Sequence, residues 1–475
     1  QEVLSSSSSE KMKNIVTTIQ KEQNQVIRNT IDKYLIVQGV AGSGKTSAAL
    51  HRIAYLLYKE ENLNYNNILI FSPNDVFSEY ISEVLPELGE ENVLNTTFND
   101  IVKSYIKNAK NIEDFSSFLE RTYEKDKNNL DFYDKNDLDL FLKSYFEKSI
   151  FKNGTTLNGI YFNPFELNEL LTSKYKKLPF LERVNNIAEY ICNNARLSFK
   201  KSKNKIVNWV LKETNIELDP ILIYKEFLAT KDINKNFDKK INYEDLVGII
   251  YIYFELNSYP YNTNVKHVVV DEGQDYSKLQ YYILKKIFPY AYFTILGDVN
   301  QSINPYCKFK SLEELKGVFD KKMNYVELNK TYRSSSEIMN FANKILNIEN
   351  INSVRGKNGL DVIKRNNDNY LENIISDIKL MKKNNLKTIA IITKDKKETK
   401  ALYNKLNQKT DDLKFVKEKL KHNTISILPS YIAKGLEFDG VIIYNDECNK
   451  YDQNEKNLYY VVCTRAQHQL IIYNN

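Results

Sequence analysis

The chain alternates between two textures. Short apolar, β-branched runs closed by glycine, proline or an acid read as buried strands, and they cluster in two regions. The first region holds "YLIVQG" (Tyr34–Gly39), "NILIFSP" (Asn67–Pro73), "KHVVVDE" (Lys266–Glu272) and "YAYFTILGD" (Tyr290–Asp298). The second holds "KTIAIIT" (Lys387–Thr393), "GVIIYN" (Gly440–Asn445) and "QLIIYN" (Gln469–Asn474). Amphipathic stretches lie between them; "TSAALHRIAYLLY" from Thr46 repeats apolar residues at helical spacing. Two α/β sheets are predicted. From about Val102 to Thr263 the texture changes to long, charged, aromatic-rich helical segments, which read as a separate helical insertion. Regular patterning begins near Ile15, and the serines from Ser5 to Ser9 read as a solvated linker.

Composition narrows the class. A chain of 475 residues is too long for one ordinary core, so two to four domains are expected. Its 42% hydrophobic and 27% charged residues fit an ordinary soluble protein. The longest apolar run, "LVGIIYIYFEL" (Leu246–Leu256), falls short of the ~18 residues a bilayer span needs, so no membrane anchor is expected. "QEVLSSSSSEK" resembles no signal peptide and opens without methionine, so the chain reads as a fragment or processed product. Cys192, Cys307, Cys448 and Cys463 show no C-x-x-C spacing, which suggests a reducing cytoplasm and no structural zinc. The net charge of +6 permits nucleic-acid binding without requiring it. The densest basic patch, "RLSFKKSKNKIVNW" (Arg196–Trp209), reads as a solvated helix face or as a nucleic-acid or partner contact.

"GVAGSGKT" (Gly39–Thr46) matches G-x-x-x-x-G-K-[ST] after a strand and opening a helix. Gly39, Gly42, Ser43 and Gly44 would wrap backbone amides around phosphate oxygens. Lys45 would neutralise the β and γ phosphates of ATP, and Thr46 would hold Mg²⁺. "VVVDEGQD" supplies the acidic partner: Asp271 for the metal and Glu272 to orient and deprotonate the attacking water. The long interval between Lys45 and Asp271 is where the helical insertion falls.

The order of these motifs resembles the superfamily 1 helicase and translocase motors of the Rep- and UvrD-like group, over nearly the whole chain. "IQKEQNQVI" is similar to that family's glutamine motif, which implies that Gln23 reads the adenine. "LGDVNQSI" implies that Gln301 senses the γ phosphate. "NKTYRSSSE" implies base stacking by Tyr332 and a γ-phosphate contact by Arg333. "AKGLEFD" implies Gly435 and Glu437 near the nucleotide, and "YVVCTRAQ" implies Arg465 as a second arginine finger. Gln274 is expected to link the two halves, and for Asp275 the sequence offers capping of the next turn. The resemblance thus implies two RecA-like P-loop NTPase domains, with parallel sheets and helices on both faces. A remnant segment would occupy 1–14, the first domain 15–102 plus 263–330, the helical insertion 103–262 and the second domain 331–475.

Within the group, "IVTTIQKEQNQVIRN", "ALHRIAYLLY", "FSPNDVFSEYISEVLPELGE" and "LPSYIAKGLEFD" are most similar to the HelD-type ATPases that bind bacterial RNA polymerase. The interval from Arg333 to Lys434 is too short for the large second insertion of Rep and UvrD, and Tyr431 stands where DNA helicases of the group carry histidine. The resemblance implies a bacterial cytoplasmic, transcription-associated monomer that closes on ATP and Mg²⁺ to release core RNA polymerase from nucleic acid. On that reading the long N-terminal coiled-coil arm of HelD proteins is missing. The competing expectation is a 3′-to-5′ DNA helicase or translocase in repair, touching single-stranded DNA.

Overall fold

The computed structural model describes residues 21–72, 85–86, 91–106, 111–124, 133–148, 150–257, 262–307, 309–319, 323–348, 352–354, 360–366, 368–409, 413–415 and 425–473. The Ser5–Ser9 linker, the start of patterning at Ile15 and most of "FSPNDVFSEYISEVLPELGE" lie outside these residues.

The chain begins with α1 (Lys21–Arg28), β1 (Tyr34–Gly39), α2 (Lys45–Lys59), β2 (Ile68–Phe71), β3 (Leu94–Thr96) and α3 (Phe98–Lys103). Next come α4 (Phe115–Glu124), α5 (Lys135–Lys148), a hairpin of β4 (Thr155–Leu157) and β5 (Ile160–Phe162), and α6 (Pro164–Glu169). Four longer helices follow: α7 (Phe180–Asn194), α8 (Phe199–Thr214), α9 (Pro220–Ala229) and α10 (Tyr243–Leu256). The chain then returns to strands with β6 (His267–Val270), α11 (Lys278–Ile287), β7 (Tyr292–Gly297), α12 (Lys316–Phe319) and β8 (Met323–Leu328). The first sheet has the order β3-β2-β6-β7-β1-β8, and every pairing in it is parallel.

Both faces of that sheet are covered, and the residue period shows it. Tyr34 and Ile36 of β1, Leu69 and Phe71 of β2, and Val268 and Val270 of β6 face one apolar core. Their neighbours Leu35, Val37, Ile68, Ile70 and Val269 face the other. Side chains that alternate at period two into two dry layers explain why these strands read as unbroken apolar runs. The helices of 135–256 share the first of these cores with the sheet, whereas Phe118 and Leu119 of α4 pack with Tyr431, Leu458 and Val461. Among them α10, the longest apolar run in the sequence, is buried around nearly its whole circumference and is the central helix of the packing.

The second sheet is built from β11 (Ile363–Arg365), β12 (Ile389–Thr393), β13 (Leu413–Phe415), β14 (Ile425–Pro429), β15 (Phe438–Tyr444) and β16 (Ala466–Tyr473). Its order is β11-β16-β15-β12-β14-β13, again parallel throughout. The same alternation recurs: Ile389 and Ile391 face one core, Ala390 and Ile392 the other. Helices α13 (Ser336–Leu346), α14 (Tyr370–Lys383), α15 (Lys396–Leu406) and α16 (Lys456–Cys463) flank it. The α/β class with two helix-flanked parallel sheets is therefore the observed architecture. The sequence pattern overlooked β3, β8, β11, β13 and β14. The first four are short or carry polar residues on one face, and β14 ends on a proline. Among the described residues, no helix is long and apolar enough to cross a membrane.

Candidate active site

The glycine loop after β1 is shaped as the motif requires. Gly42 and Gly44 adopt φ of 70° and 77°, left-handed values that favour glycine. A Cβ on Gly42 would lie 2.4 Å from Cβ of Arg333, and one on Gly44 would lie 2.6 Å from the Gln23 amide nitrogen. A Cβ on Gly39 would strike the Lys45 stem and the Ser43 hydroxyl, each at 2.6 Å. Helix α2 starts at Lys45 with no side-chain cap and no acid in its first turn. Its leading amides are thus left for an anion. The buried hydroxyls of Ser43 and Thr331 have no hydrogen-bond partner among the described residues. Lys45 Nζ donates to the carbonyls of Gly39 (2.7 Å) and Val40 (3.1 Å), and burial lowers its pKa against the opposing charge of Asp298.

The acids meet this loop at the carboxyl end of β6. Thr46 Oγ1 donates to Asp271 Oδ2 at 2.8 Å. Adjacent oxygens around an octahedral Mg²⁺ lie about 2.9 Å apart, given metal–oxygen distances of about 2.0–2.1 Å. The two oxygens are therefore spaced as such an ion needs. Burial, then the charge of Glu272, raises the Asp271 carboxyl to about 6. Glu272 sits at φ 51°. Burial opposes its ionisation, but the ammonium groups of Lys434 and Lys45 prevail and bring its carboxyl down to about 2. The Gln274 amide donates to Glu272 Oε2 at 2.6 Å, while its own oxygen accepts from the Asp298 backbone at 2.9 Å.

Cations arrive from the second sheet. Arg465, in the turn just before β16 and 1% exposed, donates to Gln301 Oε1 at 2.6 Å and to the carbonyls of Val461 and Leu436 at 3.0 and 3.3 Å. Burial lowers its guanidinium to about 10, helped by the like charge of Arg333. Gln301 in turn donates to Asp298 Oδ2 at 2.7 Å. Arg333 pairs with Glu437, and the Tyr332 amide donates to the Gly42 carbonyl at 2.9 Å, which sets both residues against the phosphate loop. Gly435, at φ 81°, forms the turn that carries Glu437.

The site residues named from the sequence thus gather at one cleft, with three differences of detail. Gln23 donates to the Ser43 carbonyl at 2.9 Å and so braces the phosphate loop. Among the described residues the Gln274 side chain bonds only within the first sheet's motifs; a link across the cleft is made by its neighbour Asp275, which is ion-paired to Lys434. Asp275 does not cap the next turn, because Ser277 does that, with Gln280 completing the capping box. Two buried members escaped sequence reading. Asp298 is the largest of the charges opposing the fall in the Lys45 pKa, and Lys434 is 4% exposed yet carries a charge. Their signal was the unexplained polarity of "GDVNQ" and "IAKGLE" beside buried strands.

The arrangement can cradle a phosphate chain on backbone amides, hold a small hard cation at Thr46 and Asp271, and present a carboxylate and two guanidinium groups to the chain's far end. The model of the UvrD/REP helicase N-terminal domain matches residues 19–308, and that of the UvrD-like helicase C-terminal domain matches residues 425–473. The ATP-dependent DNA helicase PcrA of Staphylococcus epidermidis is 24% identical over 349 residues, which cover 70% of this chain and 41% of that protein. The ATP-dependent DNA helicase srs2 of Schizosaccharomyces pombe is 23% identical over 374 residues, covering 77% and 38% respectively. A probable DNA helicase II homolog of Mycoplasma capricolum is 24% identical over 352 residues, covering 70% and 41%. The chain therefore spans about two fifths of the length of these curated relatives. With the N-terminal domain model alone matching more than half of its residues, the chain belongs to the UvrD/REP helicase family.

Proposed function

We propose that this chain is an ATP-hydrolysing motor that couples closure of its two sheets to movement along DNA. The observation that carries the reading is the composite site. A phosphate loop and acids on one sheet face Arg465 and Arg333 from the other, with Arg465 already bonded to Gln301 across the cleft. The names of the relatives, DNA helicases in each case, support DNA as the track. The proposed domains are 15–102 with 263–330, an insertion at 103–262, and 331–475.

In this reading the loop amides and Lys45 bind the phosphates, and Tyr332 and Gln23 lie on the nucleotide's base side. Mg²⁺ on Thr46 and Asp271 would neutralise charge on the β and γ oxygens. Glu272 accepts the proton of the attacking water, and Arg333 and Arg465 stabilise the charge of the transferred phosphoryl group. The test is steady-state ATP hydrolysis with and without single-stranded DNA, and strand displacement on a tailed duplex, each compared with Lys45→Ala. DNA-stimulated hydrolysis that Lys45→Ala abolishes is expected; hydrolysis indifferent to DNA would remove the track from the reading.

A second reading has one specific observation behind it. Described residues between Arg333 and Lys434 are taken up by β10 (Asn352–Ser353), β11, β12, β13, β14 and α13 to α15, which surround or belong to the second sheet. With Tyr431 in place of histidine, this supports a HelD-like factor that acts on RNA polymerase in the bacterial cytoplasm. Co-purification with core RNA polymerase and stimulation of hydrolysis by it would favour that reading; neither occurring would leave the DNA motor.

A further inference from the structure

Among the described residues, Lys434 is the one ammonium group of the second sheet that touches the acids at the carboxyl end of the first. It follows β14 in a turn held by Ser430 N to Thr393 O (2.8 Å), Ser430 Oγ to Lys394 O (2.6 Å) and Ala433 N to Ser430 O (3.1 Å). Its Nζ is ion-paired with Asp275 and lies 3.4 Å from Glu272 Oε2. Asp275 is fixed in turn by the backbone amides of Ile303 (2.9 Å) and Asn304 (3.1 Å). The Glu272 oxygen that Lys434 approaches is the one that Gln274 bonds from within the first sheet. Glu272 is therefore held from both sides of the cleft, and only the Lys434 side moves away if the sheets part.

We propose that Lys434 is a positioning residue for hydrolysis, carrying cleft closure to the Glu272 carboxylate while Asp275 anchors it. The inference rests on the reading of Glu272 as the group that activates water. When the sheets are closed, the ammonium orients the carboxylate; when they are open, Glu272 keeps only Gln274 and turnover falls without loss of nucleotide. The competing role is structural: a buried Asp275 without a counter-ion would destabilise the fold by itself.

Three variants separate these roles through kcat, ATP affinity and thermal unfolding. Lys434→Met should lower kcat by about 10²-fold, the scale of a displaced general base, while ATP affinity stays within about threefold. Asp275→Asn combined with Lys434→Met removes both charges; it should recover thermal stability but not kcat. In a Glu272→Gln background, Lys434→Met should cost less than about threefold further, because residues acting as a unit are not additive. Recovery of kcat in the Asp275→Asn/Lys434→Met variant would overturn the proposal, as would an equal further loss in the Glu272→Gln background. Undiminished hydrolysis by Glu272→Gln alone would remove the reading beneath it, and the inference with it.

Discussion

The two sheets are built alike, each of six parallel strands, and differ in what they bring to the cleft. The first presents Asp271, Glu272, Asp275 and Asp298, all buried or nearly so, with one lysine of its own. The second presents Arg333, Lys434 and Arg465. Acids crowded on one surface repel each other, and burial raises the carboxyls of Asp271, Asp275 and Asp298 above the usual carboxylate range. Lys45 of the same sheet relieves Asp271 and Asp298, while Lys434 of the facing sheet relieves Asp275 and Glu272, and that second part of the relief depends on closure. A cleft divided in this way by sign is an electrostatic latch whose strength changes when a polyanion and its metal enter. On the proposed reading the first sheet binds such a ligand, and the two sheets together finish the chemistry.

Substitutions can be ranked by which side of that division they break. Lys45→Ala removes the first sheet's own cation, and hydrolysis should fall on the order of 10³-fold or more, with ATP affinity falling too; equilibrium nucleotide binding and turnover check both. Glu272→Gln leaves the phosphate loop and the second sheet intact, so ATP should still bind while turnover falls by about 10²–10⁴-fold. Single-turnover hydrolysis separates binding from chemistry there. Gly42→Ala forces a side chain into a left-handed position against Arg333, at a cost of about 1–2 kcal/mol. It should lower the thermal midpoint and slow turnover by about tenfold as Arg333 is pushed away.

The smallest expected effect on turnover lies away from the cleft, in the core of the first sheet. Arg52 Nε donates to Thr294 Oγ1 at 3.0 Å, so that hydroxyl has its proton free for His267 Nε2 at 2.9 Å. His267 is therefore held neutral; burial, then the Arg52 charge, lowers its pKa to about 3. Between pH 6.5 and 3 the unfolded chain binds the proton and the folded chain does not, so stability falls as pH falls through that window. The slope should reach up to about 1.4 kcal/mol per pH unit, and His267→Gln should flatten it in denaturant titrations.

Much of this was legible in the sequence because burial on both faces leaves unbroken apolar runs, and phosphate loops need glycine. "YLIVQG" followed by "GSGKT" announced a strand, a turn and a helix start, and all three are present. Edge strands such as β3 and β13 were not legible: with one side exposed, "LNT" and "LKF" lack an apolar run. The pairings across the cleft were also hidden, because they depend on how two sheets face each other. Lys434 and Asp275 are far apart in sequence, and nothing local to either marks the partner. The basic segment at Arg196–Trp209 folds as α8, which buries Ile206 and Val210 and turns Lys200, Lys201, Lys205 and Lys212 outward.

The central claim, that the second sheet completes the site, is tested most directly by single-turnover hydrolysis at saturating ATP in Arg465→Ala, with ATP affinity measured on the same preparation. The hydrolysis rate should fall by about 10³–10⁵-fold, with affinity changed less than tenfold. A hydrolysis rate within a few-fold of the unsubstituted chain would contradict it.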